Sequence, residues 1–377
     1  MRYLLPAILL LLTACNEAGS SSREGSGSGD ATGSGSGSGE GSATVEEPLR
    51  SVLFEGGEDG YRVYRIPSLL ELPGGALLAF AEGRQSLQDD GNIDLVMRRS
   101  DDGGATWSQL AVVVDLGDDT AGNPAPVVDP ADGRIWLPFC SNPGAAMNER
   151  QVWLTESDDG GASWAAPREI TAAAKEPAWS WFATGPGRSI VTRAGRFVVP
   201  TNHVEADGRS FAGLLYSDDR GATWQRGANT LVGSDESQVA ELSDGRLLMS
   251  SRMSGEAFAR AFSYSSDGGQ TWSRSEVRSD LPDPQCQGSL LMTPDGLLLA
   301  NPATTQPLPR NQLTLRRSLD DGVTFVQSKR IDAGPSAYSA LASLPDGTIA
   351  LAWESGGFLP YDRIRFARIP SRWLAAP

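Results

Sequence analysis

The chain has 377 residues, a formal net charge of −15 and a 40% share of hydrophobic residues. That length and apolar share suit one large packed domain or two small ones, and the acidic balance argues against nucleic acid as a partner, because phosphate binding needs a basic face. The single histidine, His203 in Pro200-Thr201-Asn202-His203, excludes any multi-histidine metal site; with no Gly-x-Ser-x-Gly elbow to serve, it reads as a hydrogen-bonded loop residue.

In chain order, residues 1–15 come first. Arg2 opens the segment, and Leu4 to Leu12 is an apolar run too short to span a bilayer. Its end, Leu12-Thr13-Ala14-Cys15, resembles a bacterial lipobox. The resemblance implies a signal peptide cleaved before Cys15, a lipidated Cys15 thiol, and export to a bacterial outer membrane or cell surface. Residues 16–47 are mostly Gly and Ser. Such a segment cannot offset its ordering entropy and is expected to be a disordered linker, with a root-mean-square reach of roughly 30 Å. No other stretch is long and apolar enough to cross a bilayer, so membrane association is expected through the lipid alone. Cys140 and Cys286 are either free and buried or bridged, and their spacing does not decide which.

From residue 48 to 377 the chain repeats itself. Pro73-Gly74-Gly75, Asp132-Gly133, Ala194-Gly195, Asp244-Gly245, Asp295-Gly296 and Asp346-Gly347 each lead into a short apolar run, at intervals of 50 to 62 residues. A glycine turn before such a run is a hairpin signal. A second repeat interleaves with the first. The octapeptide Ser100 to Trp107 recurs as Ser157 to Trp164, Ser217 to Trp224, Ser265 to Trp272 and Ser318 to Phe325, with the pattern Ser-x-Asp-x-Gly-x-Thr-Trp. Each copy follows a short apolar strand and reads as a turn whose Ser and Asp bond backbone amides while the aromatic packs beneath. Six turn-strand units suit an all-β, six-bladed β-propeller with almost no helix and a polar cavity at its centre. The last strand is expected at Ile364 to Ala367, with Ser51 to Phe54 pairing beside it.

The octapeptides resemble the Asp-boxes of the sialidase superfamily. The resemblance implies the sialidase fold, with the boxes structural and remote from the active site, so their acids are not read as metal ligands. A sialoside carries a carboxylate on its anomeric carbon, which repels an anionic nucleophile; sialidases use a tyrosine instead. Tyr64-Arg65-Ile66-Pro67 is similar to the Phe/Tyr-Arg-Ile-Pro signature of the family. Carried over, Arg65, Arg252 and Arg310 are the guanidinium clamp for the substrate carboxylate, although Arg316 and Arg317 lie close to Arg310. Glu236, in Glu236-Ser237-Gln238, looks like the base that activates the nucleophile, and Tyr338, in Pro335-Ser336-Ala337-Tyr338-Ser339, looks like that nucleophile. The acid is an aspartate of Gln88 to Asp94, with Asp89 favoured by family spacing and Asp90 as the alternative. Glu354 falls where the family places a carboxylate that orients Arg65, and Arg84 borders the pocket. Trp179 to Gly187 also resembles a sialidase segment, but Arg188-Ser189 stands where the family often has His-Gly, a departure expected to bear on specificity.

The resemblance implies an exo-α-sialidase that releases terminal sialic acid from glycoproteins, glycolipids or oligosaccharides with retention and without metal or cofactor, as a monomer. Three rival readings remain, one of them a transglycosylating enzyme with the same site residues. A non-catalytic glycan-binding propeller would keep the boxes but has no need of three arginines, Glu236 and Tyr338. A hydrolase of a related acidic sugar, such as a deaminated sialic acid, would keep every site and change only the pocket for the C5 substituent.

Overall fold

The octapeptides close on themselves through their own side chains. In Ser217 to Trp224 the Asp219 carboxylate accepts from Thr223 N at 2.8 Å and Thr223 Oγ1 at 2.6 Å, and Ser217 Oγ accepts from Gly221 N at 2.8 Å. The other four copies repeat this network around Asp102, Asp159, Asp267 and Asp320. Hydrogen bonds from Ser163 hold Asp159 below the ordinary carboxylate range, so these carboxylates are saturated by their own turn. Glycine is required at the fifth position. At Gly221 the backbone has φ +88°, and a Cβ would lie 2.6 Å from the Trp136 ring of the neighbouring sheet.

A computed structural model describes residues 46–143, 149–255 and 257–375. The signal segment with Cys15, and all but the last two residues of the 16–47 linker, lie outside the described residues. The chain divides into two units, 1–44 and 45–377. In the second, β1 (Leu49–Glu55), β2 (Val63–Glu71), β3 (Leu77–Arg84), β4 (Ile93–Ser100) and β5 (Ala111–Val114) come first. Next are β6 (Thr120–Gly122), β7 (Val127–Val128), β8 (Ile135–Asn142), β9 (Gln151–Ser157), β10 (Arg168–Glu169) and a short helix α1 (Thr171–Ala174). Then follow β11 (Trp181–Thr184), β12 (Ile190–Val191), β13 (Phe197–Val204), β14 (Ser210–Ser217) and β15 (Gln225–Arg226). A meander of β16 (Ser234–Glu241), β17 (Leu247–Met253), β18 (Ala259–Ser265) and β19 (Arg274–Pro282) stands as a sheet of its own. The rest is β20 (Ser289–Thr293), β21 (Gly296–Pro302), β22 (Asn311–Ser318), β23 (Gln327–Ser343), β24 (Ile349–Ser355), β25 (Arg363–Ile369) and helix α2 (Ser371–Ala375).

The fold is all-β and its strands pair almost wholly antiparallel with their sequence neighbours. Among the described residues the one parallel contact joins β4 to β6 at Ile93 and Thr120. The first half of β23 pairs with β22 and the second half with β24, so that one strand serves two meanders. The N-terminal strand pairs with the last one, as the sequence leads one to expect: Ser51 faces Phe366 and Phe54 faces Ile364. Side chains of neighbouring sheets interlock in buried clusters, such as Phe54, Leu69, Leu77, Ala340 and Phe366. Each fully buried Leu or Phe contributes about 1.5–3 kcal/mol.

Two local readings are settled or corrected. Cys140 and Cys286 are both free and buried. His203 is not a loop residue: it lies within β13, is 2% exposed, and stacks on Trp179 at 3.6 Å between ring centroids. Its Nε2 finds no hydrogen-bond partner among the described residues, so aromatic packing takes the place of the expected hydrogen bond.

Candidate active site

Three strands break register where they approach one another. In β2 the shift falls between Arg65 and Ser68, in β16 between Ser234 and Ser237, and in β23 between Ser336 and Ser339. Such bulges re-aim side chains. Here they carry Arg65 and Ile66, Asp235 and Glu236, and Ala337 and Tyr338. Ile66 has φ +57°, an unfavourable conformation for a β-branched residue, and its backbone N donates to Glu354 Oε1 at 2.9 Å.

Arg65, Ile66, Glu236 and Tyr338 line a cavity of about 340 Å³, together with Glu82, Arg84, Asp89, Asn123, Arg150, Trp181, Arg252, Arg310 and Tyr361. Tyr338 Oη donates to Glu236 Oε1 at 2.5 Å. Arg252 binds Asp235 through Nε and Nη2, both at 2.7 Å, lies 2.7 Å from Glu236 Oε2, and donates to Tyr338 Oη at 3.3 Å. Arg65 binds Glu354 at 2.8 Å and 3.3 Å and lies over the Tyr361 ring at 4.4 Å. Arg310 donates to the Gln285 carbonyl at 2.6 Å, and its Nε has no partner among the described residues. Its guanidinium stands 5.8 Å from the Tyr338 ring centroid.

Burial pushes the Glu236 carboxyl up from the ordinary glutamate range, against the pull of Arg252. Burial, reinforced by the Glu236 charge, pushes the Tyr338 phenol well above its ordinary value, while Arg252, Arg310 and Arg65 oppose the rise. Arg84 donates to Asp89 at 2.8 Å and to Glu82 at 2.8 Å, and Glu82 in turn accepts from Asn123 N at 2.6 Å. Partial burial raises Asp89, but the charges of Arg84 and Arg65 outweigh it and hold the carboxyl below its ordinary range.

All eight site residues expected within the described chain, Arg65, Arg84, Asp89, Glu236, Arg252, Arg310, Tyr338 and Glu354, belong to this one assembly. Asp89 lines the cavity and Asp90 does not. Arg316 and Arg317 turn away, to Asn301 at 2.7 Å and the Ser371 carbonyl at 3.1 Å. Arg188 lines a second cavity with Leu242 and Leu291 and is not among the residues that line the first. Asp235, Glu82, Arg150 and Tyr361 were not singled out by sequence, although Asp235 directly precedes Glu236. Gln238, part of the Glu-x-Gln segment, is structural: its Nε2 donates to the Pro186 carbonyl at 2.9 Å. Among the described residues no cluster of three or more His, Cys, Asp or Glu is placed to hold a metal.

Repeated box turns in an all-β chain, with convergent arginines over a tyrosine–glutamate pair, define a protein of the BNR-repeat class. Residues 75–351 match the BNR repeat-like domain family. The chain is 36% identical over 351 residues to a sialidase of Micromonospora viridifaciens, covering 84% of this chain and 53% of that protein. It is 31% identical to a sialidase of Bacteroides fragilis (79% and 61% covered) and 30% identical to an exo-alpha-sialidase of Aspergillus fumigatus (79% and 75% covered). Among solved structures, the Hadza microbial sialidase Hz136 superposes with TM-score 0.79 at 28% identity, covering 86% of this chain and 69% of that one. Trypanosoma rangeli sialidase shares the fold with TM-score 0.72 at 21% identity, covering 86% and 59%. The chain therefore belongs to the BNR-repeat sialidase family, and it spans 53% and 61% of the first two relatives named.

Proposed function

We propose that the protein is an exo-α-sialidase that removes terminal sialic acid from glycoproteins, glycolipids or oligosaccharides by a retaining double displacement. The observation that carries this reading is the 2.5 Å hydrogen bond from Tyr338 Oη to Glu236, beneath Arg65, Arg252 and Arg310. The three guanidiniums take the substrate carboxylate and place the anomeric carbon over Tyr338. Tyr338 Oη attacks that carbon and its proton passes to Glu236. The bond to the leaving oxygen breaks, and that oxygen takes a proton from Asp89. Water then attacks the anomeric carbon and gives a proton to Asp89, while the bond to Tyr338 breaks and the phenol recovers its proton from Glu236.

Asp89 must be protonated for the first step, and its exposed carboxyl is held low by Arg84 and Arg65. A bound substrate carboxylate offsets that positive field and its sugar excludes water, and both effects raise the Asp89 value. Glu354 fixes Arg65, and Glu82 fixes Arg84. The antiparallel meanders, with β1 paired to β25, support a six-bladed propeller closed by its own N-terminal strand. Residues 48–377 form that domain. Residues 1–15 are a lipoprotein signal and 16–47 a tether, so Cys15 holds a monomer at a bacterial surface by its lipid alone; among the described residues no helix is long and apolar enough to cross a membrane.

The test is release of a fluorophore from an α-sialoside by the full chain, with Tyr338→Phe alongside. The parent is expected to turn over and Tyr338→Phe to lose on the order of 10³-fold in kcat. A folded parent inert on sialosides and on related acidic ketosides would contradict the enzymatic reading and favour a glycan-binding propeller.

A further inference from the structure

Five arginines line the cavity, and their charges are not equally balanced. Arg65 is paired with Glu354, Arg84 with Glu82 and Asp89, and Arg252 with Asp235 and Glu236. Among the described residues Arg150 and Arg310 have no carboxylate partner: Arg310 leans on a carbonyl, and Arg150 on Asn142 Oδ1 at 2.9 Å. One substrate carboxylate answers Arg310. Arg150 is left over.

Arg150 is 3% exposed, immediately before β9. Its guanidinium lies 3.9 Å from the Trp181 ring centroid, which fixes its plane. Nε is used by Asn142, and Nη1 has only a long contact of 3.5 Å to the Phe182 carbonyl. Burial pushes this guanidinium down, whereas carboxylates outweigh burial at Arg65 and Arg252, and the Cys286 thiol with the Tyr338 and Tyr361 phenols outweighs it at Arg310, so that those three are pushed up. Keeping a buried cation without an ion-pair partner is costly, and in a cavity wall such a group points to a binding role.

We infer that Arg150 is a specificity-determining residue that donates hydrogen bonds to an oxygen-bearing C5 substituent of the acidic sugar, favouring a hydroxyl over an acetamido group. The inference rests on the sialidase reading. In a pyranose ring closed through C2, the atom opposite the anomeric C2 is C5. The clamp residues come from β2, β17 and the residue before β22; Arg150 and Trp181 come from the other wall, built by β6 to β11. A sugar held at C2 by the clamp therefore turns its C5 substituent to Arg150. Among the described residues that wall offers little apolar shelter for an acyl methyl: the guanidinium covers the Trp181 face, and the aliphatic surface comes from Ile93 and the Thr120 methyl. A hydroxyl there can accept from Arg150 and donate to a neighbouring oxygen.

The test compares kcat/KM of the full chain on three umbelliferyl α-ketosides that differ only at C5: acetamido, glycolylamido and hydroxyl. The wild type is expected to prefer the hydroxyl-bearing substrates. Arg150→Met should lower kcat/KM for the C5-hydroxyl ketoside by roughly 10²-fold and for the acetamido ketoside by less than about 5-fold, whereas Arg150→Lys, which keeps a donor, should retain part of the preference. Equal losses on all three substrates, or a ratio unchanged by Arg150→Met, would overturn the assignment while leaving the sialidase reading intact. A wild type inert on all three would overturn both. If Arg150→Met does not fold, the Arg150→Lys ratio decides in the same way, an unshifted ratio counting against the assignment.

Discussion

Glu354 is fully buried and accepts from three sources at once: Arg65 Nε at 2.8 Å, Ile66 N at 2.9 Å and Tyr338 N at 3.2 Å. One carboxylate thus fixes the Arg65 guanidinium, the strained Ile66 backbone and the backbone of Tyr338. Glu354→Gln removes the charge that balances Arg65, whose side chain is 9% exposed. Leaving a buried guanidinium unpaired is expected to lower stability by about 3–5 kcal/mol in chemical denaturation; a variant as stable as the parent would refute this role. At this scale the sequence was informative where chemistry is local to a motif. Arg65, Glu236 and Tyr338 could each be picked out by neighbours in the chain. Asp235 and Arg150 could not, because their importance comes from pairing: Asp235 with a guanidinium 17 residues on, and Arg150 with a tryptophan from another strand.

The elements divide in the same way. Turn-strand units and boxes repeat in sequence because each is built by short-range hydrogen bonds, as in the Asp219 turn. The three register shifts that aim Arg65, Glu236 and Tyr338 into the cavity have no local signature, since a bulge is a property of two strands. The boxes also press on neighbouring sheets, and Gly221→Ala tests that contact. A Cβ there combines a left-handed backbone with a 2.6 Å approach to Trp136, so a loss of about 2–4 kcal/mol is expected in thermal or urea unfolding. An unchanged midpoint would mean that the Trp136 ring gives way freely.

For the whole molecule, the pairing of β1 with β25 ties the start of the second unit to its end, and it is the six-unit repeat, not any local signal at Ser51 to Phe54, that leads one to expect it. The molecule's pH response is simplified by its single histidine. Burial holds His203 down to about 4, against an ordinary 6.5. Between those values the unfolded chain binds a proton there that the folded chain does not, so stability falls as pH drops from 6.5 to 4, by roughly 3 kcal/mol from this residue. His203→Phe keeps the stacking on Trp179 and should flatten that part of the stability profile; an identical profile in parent and variant would show that burial does not hold the imidazole neutral.

The central claim is that Tyr338 forms a covalent bond to the sugar. The most direct measurement is mass spectrometry of the full chain incubated with a 2,3-difluorinated sialic acid, whose C2 fluoride leaves readily and whose C3 fluorine slows release from the enzyme. The account predicts one sugar adduct, on the peptide that contains Tyr338, and none in Tyr338→Phe. An adduct on Asp89 or Glu236, or turnover of a sialoside with no adduct at Tyr338, would contradict it.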